Sequence, residues 1–191
     1  MNVLLRRLRP YVHRIEPVLG TRLDVTAVAR SAGRADGVID RLLSEIDRLE
    51  RVFSIYDPTS ELRRWSAGEV PQPSTDLQAL LIAGEVWMER TGGVFSPTLG
   101  RLTQRWWLAE TEGSLPTDGE LAGLATTVTT LPYRVRADGA VEQLGPCDAL
   151  DFNALAKGMI VDAALTAAFD TGKASSLVVN VGGDLAHRGN R

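Results

Sequence analysis

The chain of 191 residues carries 21 Lys and Arg against 24 Asp and Glu, a formal net charge of -3 that excludes the strongly basic surface of an electrostatic nucleic-acid binder. With 44% hydrophobic and 24% charged residues the composition is that of a globular protein, and a chain of this length buries about 70% of its unfolded surface. A single Cys147 excludes an internal disulfide, and with only His13 and His187 beside it a Cys/His zinc cage is excluded too.

Residues 1–10, with Arg6, Arg7 and Arg9 and with Arg14 just beyond, read as a basic, solvated arm; contact with anionic lipid is the alternative. No apolar run approaches the roughly 18 residues of a membrane span, and Val3 to Leu5 is too short for a signal-peptide core, so the cytoplasm is the default expectation. From Tyr11 to Ala29 apolar and polar residues alternate, Val12, Ile15 and Val18 before Gly20 and Leu23, Val25 and Ala27 after it. This predicts two antiparallel strands with a turn at Leu19-Gly20-Thr21. Val38, Ile39, Leu42, Leu43, Ile46, Leu49, Val52 and Phe53 recur at three- and four-residue spacing, the pattern of an amphipathic helix that gives way before Pro58. A second helix is expected over Asp76 to Glu89, stopped by Thr91-Gly92-Gly93. Thr117 and Glu120 have capping-box spacing for a short helix through Leu124, and Tyr133 to Leu144 around Asp138-Gly139 reads as a hairpin. A third long helix is expected from about Asn153 to Phe169, followed by a buried strand, Leu177 to Val181, that ends in Gly182-Gly183-Asp184. The whole is mixed α and β, and from residue 11 to 191 it reads as a single stretch of one domain.

Four stretches carry chemistry. Asp151 to Asp162 places an acid before a helix and Lys157 near its first turn. With Asn153 as N-cap, the free N–H groups, the helix dipole and the lysine charge together suit a diphosphate. Asp151 and nearby carbonyls are hard oxygen ligands of the kind Mg2+ takes. A plain capped helix with a solvated lysine explains the same spacing. Thr91 to Gly100 surrounds Phe95 with glycines and hydroxyls, which suits close approach to a planar ligand, or else marks a helix stop followed by a cap at Ser96 or Thr98. Tyr56 sits in a loop, Ser54 to Glu61, where its ring is placed to stack on an aromatic ligand or simply to lie on the surface. Asn180 to Asp184 is a strand end with glycines and an acid, a common place for ligand contact, although a tight turn needs the same residues.

Taken in order, Glu16-Pro17-Val18-Leu19-Gly20-Thr21, Phe53-Ser54-Ile55-Tyr56 to Glu61, Gly92 to Gly100 with Trp106 following, Asp151 to Asp162 and Asn180 to Asp184 resemble the ApbE family, the FAD:protein FMN transferases. The resemblance runs from about residue 15 to the end. It implies an α+β, T-fold-like arrangement of mixed sheet and helices. It further implies a Mg2+-dependent enzyme that transfers FMN from FAD to a Thr or Ser hydroxyl of an acceptor flavoprotein and releases AMP. Matched by position, Leu19, Tyr56, Val94, Phe95, Ser96, Asp151 and Lys157 fall on FAD-contacting positions. Ala154 falls where the family offers Mg2+ an oxygen, here the backbone carbonyl. No catalytic residue is assigned.

Ser96 stands where the family usually has Asp, Leu19 where it has Met, and Met159 where an aromatic is usual. The resemblance also implies that the chain is incomplete at its C-terminus, because a His-x-x-Asp-Pro motif and a later Asp and Thr of the Mg2+ site do not follow Asp184. The alternative expectation is therefore a non-catalytic FAD-binding fragment or regulatory module, and a second chain or another copy is an expected partner. Family members are often exported and act on membrane or extracytoplasmic acceptors, but membrane association is not indicated by this sequence.

Overall fold

The computed structural model describes residues 7–190. Of the basic arm, residues 1–6 lie outside the described residues, whereas Arg9 and Pro10 already belong to a strand. The chain divides into two compact units. Unit 1 comprises residues up to Glu50 together with those from Lys157 onward, and unit 2 is Arg51–Ala156.

Unit 1 is built on a four-stranded antiparallel sheet of β1 (Arg9–Val18), β2 (Thr21–Ala29), β5 (Ala174–Val181) and β6 (Asp184–Gly189), in that spatial order. Alternation decides which face is dry. Leu23, Val25 and Ala27 of β2 lie directly opposite Val181, Val179 and Leu177 of β5, and all six are fully buried. Helices α1 (Ala32–Phe53) and α6 (Asn153–Phe169) supply the rest of this core. Ala35, Val38, Ile39, Leu42, Ile46 and Leu49 make a three-and-four stripe along α1, and Ile160, Val161, Ala164, Leu165 and Ala168 make one along α6. Each such Leu, Ile or Val contributes about 1.5–3 kcal/mol by leaving water. The alternation expected of β1 holds only in part. Val12 faces solvent, because the half-buried side of β1 is that of Tyr11, His13 and Ile15 and Val12 has the opposite parity.

Val18 and Thr21 are joined by a two-residue turn in which Leu19 (φ 49°) and Gly20 (φ 70°) both adopt left-handed backbone. This is the conformation that matches the twist of a tight hairpin. Glycine adopts it freely and leucine does not.

Unit 2 holds α2 (Glu61–Ser66), α3 (Thr75–Arg90), α4 (Gly100–Glu112), α5 (Asp118–Thr127) and the hairpin β3 (Tyr133–Val135) with β4 (Val141–Gln143). Side-chain caps start three of the helices. Ser60 Oγ accepts from Arg63 N, Ser74 Oγ accepts from Leu77 N, and Thr117 and Glu120 form the expected reciprocal box. The core gathers Leu62, Trp65, Leu77, Leu80, Leu81, Tyr133, Val141 and Phe152. The Tyr133 hydroxyl donates to Leu81 O at 2.9 Å, and its ring meets Trp65 edge-on at 6.2 Å. Gly84 on α3 is required by close approach, since a Cβ there would lie 2.6 Å from the Phe152 ring and 2.9 Å from the Tyr133 hydroxyl.

Three elements were not expected from sequence: α2, α4 and β6. The buried β5 is therefore followed by a further strand, and the short α5 runs on past Leu124 to Thr127. Among the described residues no helix is long and apolar enough to cross a membrane.

Candidate functional site

In unit 2 the loop between α1 and α2 is stitched by its own side chains. Ser54 Oγ accepts from the N–H groups of Tyr56 (3.2 Å) and Asp57 (3.0 Å), while Ser60 Oγ donates to Ser54 O at 2.6 Å. The Thr59 hydroxyl and N–H both donate to Asp57 and hold its carboxyl below the usual range. The product of these bonds is a Tyr56 that projects from a fixed backbone with 67% of its surface exposed. Its phenol oxygen accepts from Asn153 Nδ2 at 3.0 Å, and its ring lies 6.0 Å from that of Trp107, tilted by 34°.

The start of α6 corrects one sequence expectation. Asn153 is not the N-cap. Phe152 occupies that place, its carbonyl accepting from Leu155 and Ala156, and Asn153 is the first helical residue. The Asn153 N–H is taken at 2.9 Å by Asp151 Oδ1, so the anion site expected at this helix start already holds the chain's own carboxylate. The Asn153 side chain is thereby free to reach Tyr56.

Asp151 also anchors the glycine-rich stretch. Its N–H donates to Pro97 O at 2.7 Å, and Gly100 N donates to Ala149 O at 3.0 Å. Unit 2 thus links Tyr56 to Asn153, Asn153 to Asp151 and Asp151 to Pro97, the residue after Ser96, by hydrogen bonds, while Ala154 is exposed beside Asn153. Within the Val94 to Ser96 segment Val94 is exposed, Phe95 half-buried and Ser96 buried. Ser96 Oγ lies 2.7 Å from Thr98 Oγ1 and donates to Val128 O, at the end of α5, at 2.8 Å, so the hydroxyl ties this loop to a distant segment and caps no helix. A groove of about 780 Å³ is lined by Gly92 and Gly93 just ahead of that segment, with Glu85, Met88 and Glu89 of α3 and the residues from Val128 to Leu131.

Unit 1 carries the other expected residues. The β1–β2 turn with Leu19 and the β5–β6 turn are neighbours, since Gly182 N donates to Arg22 O at 3.0 Å and a Cβ on Gly182 would meet Thr21. Asn180 Oδ1 accepts from Gly183 N at 3.0 Å and shapes the second turn. Lys157, half-buried on α6, points its Nζ at Asp184 Oδ2, 3.2 Å away. Sequence reasoning read Asp184 as the acid of a strand end and Asn153 as a helix cap, and did not single out Trp107. The first two stood inside quoted motifs, and Trp107 had as its signal an aromatic pair ahead of a helix-stopping Gly113.

No His, Cys, Asp and Glu side chains cluster in threes among the described residues. Mg2+ asks for six oxygens with near-octahedral geometry, so the Ala154 carbonyl and Asp151 do not amount to a complete magnesium site.

Several solved structures share the fold. The Pseudomonas stutzeri flavinyl transferase ApbE in its apo form matches with a TM-score of 0.76 and 19% identity over 100% of this chain and 64% of that one. The flavin transferase ApbE from Vibrio cholerae matches at 0.72 and 20% over 96% and 61%. The ApbE protein of Thermotoga maritima matches at 0.78 and 21% over 96% and 60%. The chain thus spans about six-tenths of the length of these proteins. No curated protein matches the sequence. The ApbE family profile matches residues 19–191, nearly the whole chain, and the chain belongs to the ApbE family.

Proposed function

We propose that the chain serves flavin transfer as an FAD:protein FMN transferase, moving FMN from FAD onto a Thr or Ser hydroxyl of an acceptor flavoprotein, with Mg2+, and releasing AMP. In that reaction the acceptor oxygen bonds to the phosphorus of the FMN half. The bond from that phosphorus to the AMP oxygen breaks, and the hydroxyl proton is lost. The protein's task is to bind the donor and to stabilise charge on the phosphoryl oxygens. The FAD-contacting residues are Leu19, Tyr56, Val94, Phe95, Ser96, Asp151 and Lys157. Ser96 contributes through its backbone, because its hydroxyl is committed elsewhere.

The observation that carries the proposal is Lys157. It is a half-buried ammonium early on α6 whose ion-pair partner is the single carboxylate Asp184, an exchangeable contact of 3.2 Å that a diphosphate oxygen replaces. Mg2+ would add charge neutralisation at the phosphates. The described residues do not complete its shell, so no step is assigned to it here.

Ser96, an uncharged side chain whose hydroxyl is held by Val128 O, supports a second reading, a module that binds FAD without transfer. Incubation with FAD, Mg2+ and a Thr-containing acceptor peptide separates the two. Mg2+-dependent addition of the FMN mass to the peptide is the expected result. Flavin binding with no mass gain would favour the binding module.

A further inference from the structure

An aromatic side chain that receives a planar ligand must offer one face at a fixed angle, so the contacts on its remaining surface matter as much as the ring itself. Tyr56 has two such contacts. Asn153 Nδ2 holds the phenol oxygen at 3.0 Å, and Trp107 holds the ring at 6.0 Å between centroids. Neither contact is a by-product of core packing. Trp107 is 46% exposed on α4, a helix that buries only Gly100 and Ala109, and Asn153 is an exposed residue of α6. Asn153 is itself fixed, because Asp151 accepts its N–H at 2.9 Å while Asp151 N is tied to Pro97 O.

Spacing then limits where a ligand goes. A planar ring held between two others needs about 7 Å between their centroids, two contacts of roughly 3.5 Å each. At 6.0 Å the gap between Tyr56 and Trp107 does not admit one, and the face of Tyr56 turned away from Trp107 is left.

We propose that Trp107 and Asn153 are positioning residues of the flavin site. Trp107 packs beside the Tyr56 ring and Asn153 pins its rim, so that the isoalloxazine ring stacks on a face that Trp107 does not cover. This rests on the flavin reading of the preceding subsection and adds to it two residues and a side of approach. The ligand part concerned is the three-ring system common to riboflavin, FMN and FAD, not the adenine.

The test titrates riboflavin, FAD and ADP into the wild-type chain and into Tyr56→Ala, Trp107→Ala, Trp107→Phe, Asn153→Ala and the Tyr56→Ala/Trp107→Ala double variant. Binding is followed by quenching of flavin fluorescence, or by calorimetry for ADP, after thermal melts confirm folding. Trp107→Ala and Asn153→Ala are each expected to weaken riboflavin and FAD by a common factor of about five to ten, with Trp107→Phe close to wild type. Trp107→Ala should add nothing once Tyr56 is alanine, since Trp107 acts through that ring. Unchanged riboflavin affinity in Trp107→Ala would overturn the inference. So would an undiminished effect in the Tyr56→Ala background, or a loss confined to FAD and ADP. Should Trp107→Ala not fold, a Trp107→Phe variant that binds flavin as weakly as Tyr56→Ala would also overturn it. A wild-type chain that binds no flavin, or a Tyr56→Ala variant that binds it undiminished, would instead sink the underlying flavin reading.

Discussion

Leu19 occupies left-handed backbone that leucine pays for in sterics, at a turn where asparagine or glycine is the ordinary choice. Leu19→Asn is therefore expected to raise stability by about 1 kcal/mol in urea unfolding. If Leu19 contacts FAD, the same change weakens FAD binding while it stabilises the fold. Ser96 is a second residue whose environment decides its chemistry. Its hydroxyl donates to Val128 O, so a carboxylate in its place would set an acceptor against an acceptor in a buried loop. Ser96→Asp is expected to lower stability at pH 7 by about 1–3 kcal/mol, and the loss should shrink on acidification as the introduced acid takes up a proton. The place of Ser96 in a stretch of glycines and hydroxyls was legible in the sequence. The hydrogen bonds that suit this loop to serine were not, because Val128 lies 32 residues away. Lys157→Ala should weaken FAD by about tenfold and FMN by less, since the lysine is assigned to the diphosphate. Equal losses in a fluorescence titration would count against that assignment.

At the scale of elements, α1, α3, α6, β2 and β5 were readable because their apolar spacing survives as a buried stripe or a strict alternation. Helix α4 was not, because its large apolar residues Trp106, Trp107 and Leu108 are all exposed and leave no buried stripe. Strand β6 is an edge strand with mostly exposed residues, so no alternation marks it. Within α1 one polar feature interrupts the apolar stripe: Glu45 is buried between Arg41 (3.1 Å) and Arg48 (2.7 Å). The Arg48 hydrogen bond foremost, then the charges of Arg48 and Arg41, outweigh burial and hold its carboxyl below the usual range. A carboxyl with a depressed folded pKa stabilises fully above its unfolded pKa, near 4.3, and that contribution is lost as pH falls through the lower folded value. Glu45→Gln should thus cost about 1–2 kcal/mol at pH 7, and the gap to wild type should close progressively below about pH 4 in pH-dependent urea melts.

For the whole molecule, the order of five short motifs made the family legible before any coordinate, although none of the motifs is specific alone. Pairings between distant segments were not legible in the same way. Asn153 with Tyr56, Pro97 with Asp151 and Lys157 with Asp184 each follow from the fold. The candidate residues also fall into both compact units, with Leu19 and Lys157 in unit 1 and Tyr56, Ser96 and Asp151 in unit 2.

The pairing of β2 with β5 has a consequence in time. Val28 and Ser175 touch across a separation of 147 residues, and everything in unit 2 lies between them along the chain. During synthesis the β1–β2 hairpin emerges before unit 2, with Leu23, Val25 and Ala27 uncovered, and cannot find its sheet partner until the ribosome has made all of unit 2. Unit 2, whose contacts are internal to one continuous stretch, has no such wait. In refolding followed by pulsed hydrogen exchange, amides of α3 and the β3–β4 hairpin should gain protection before those shared by β2 and β5. Strands made before unit 2 are therefore secured after it, and a holdase that shields an apolar hairpin would raise the folding yield more than one acting on unit 2.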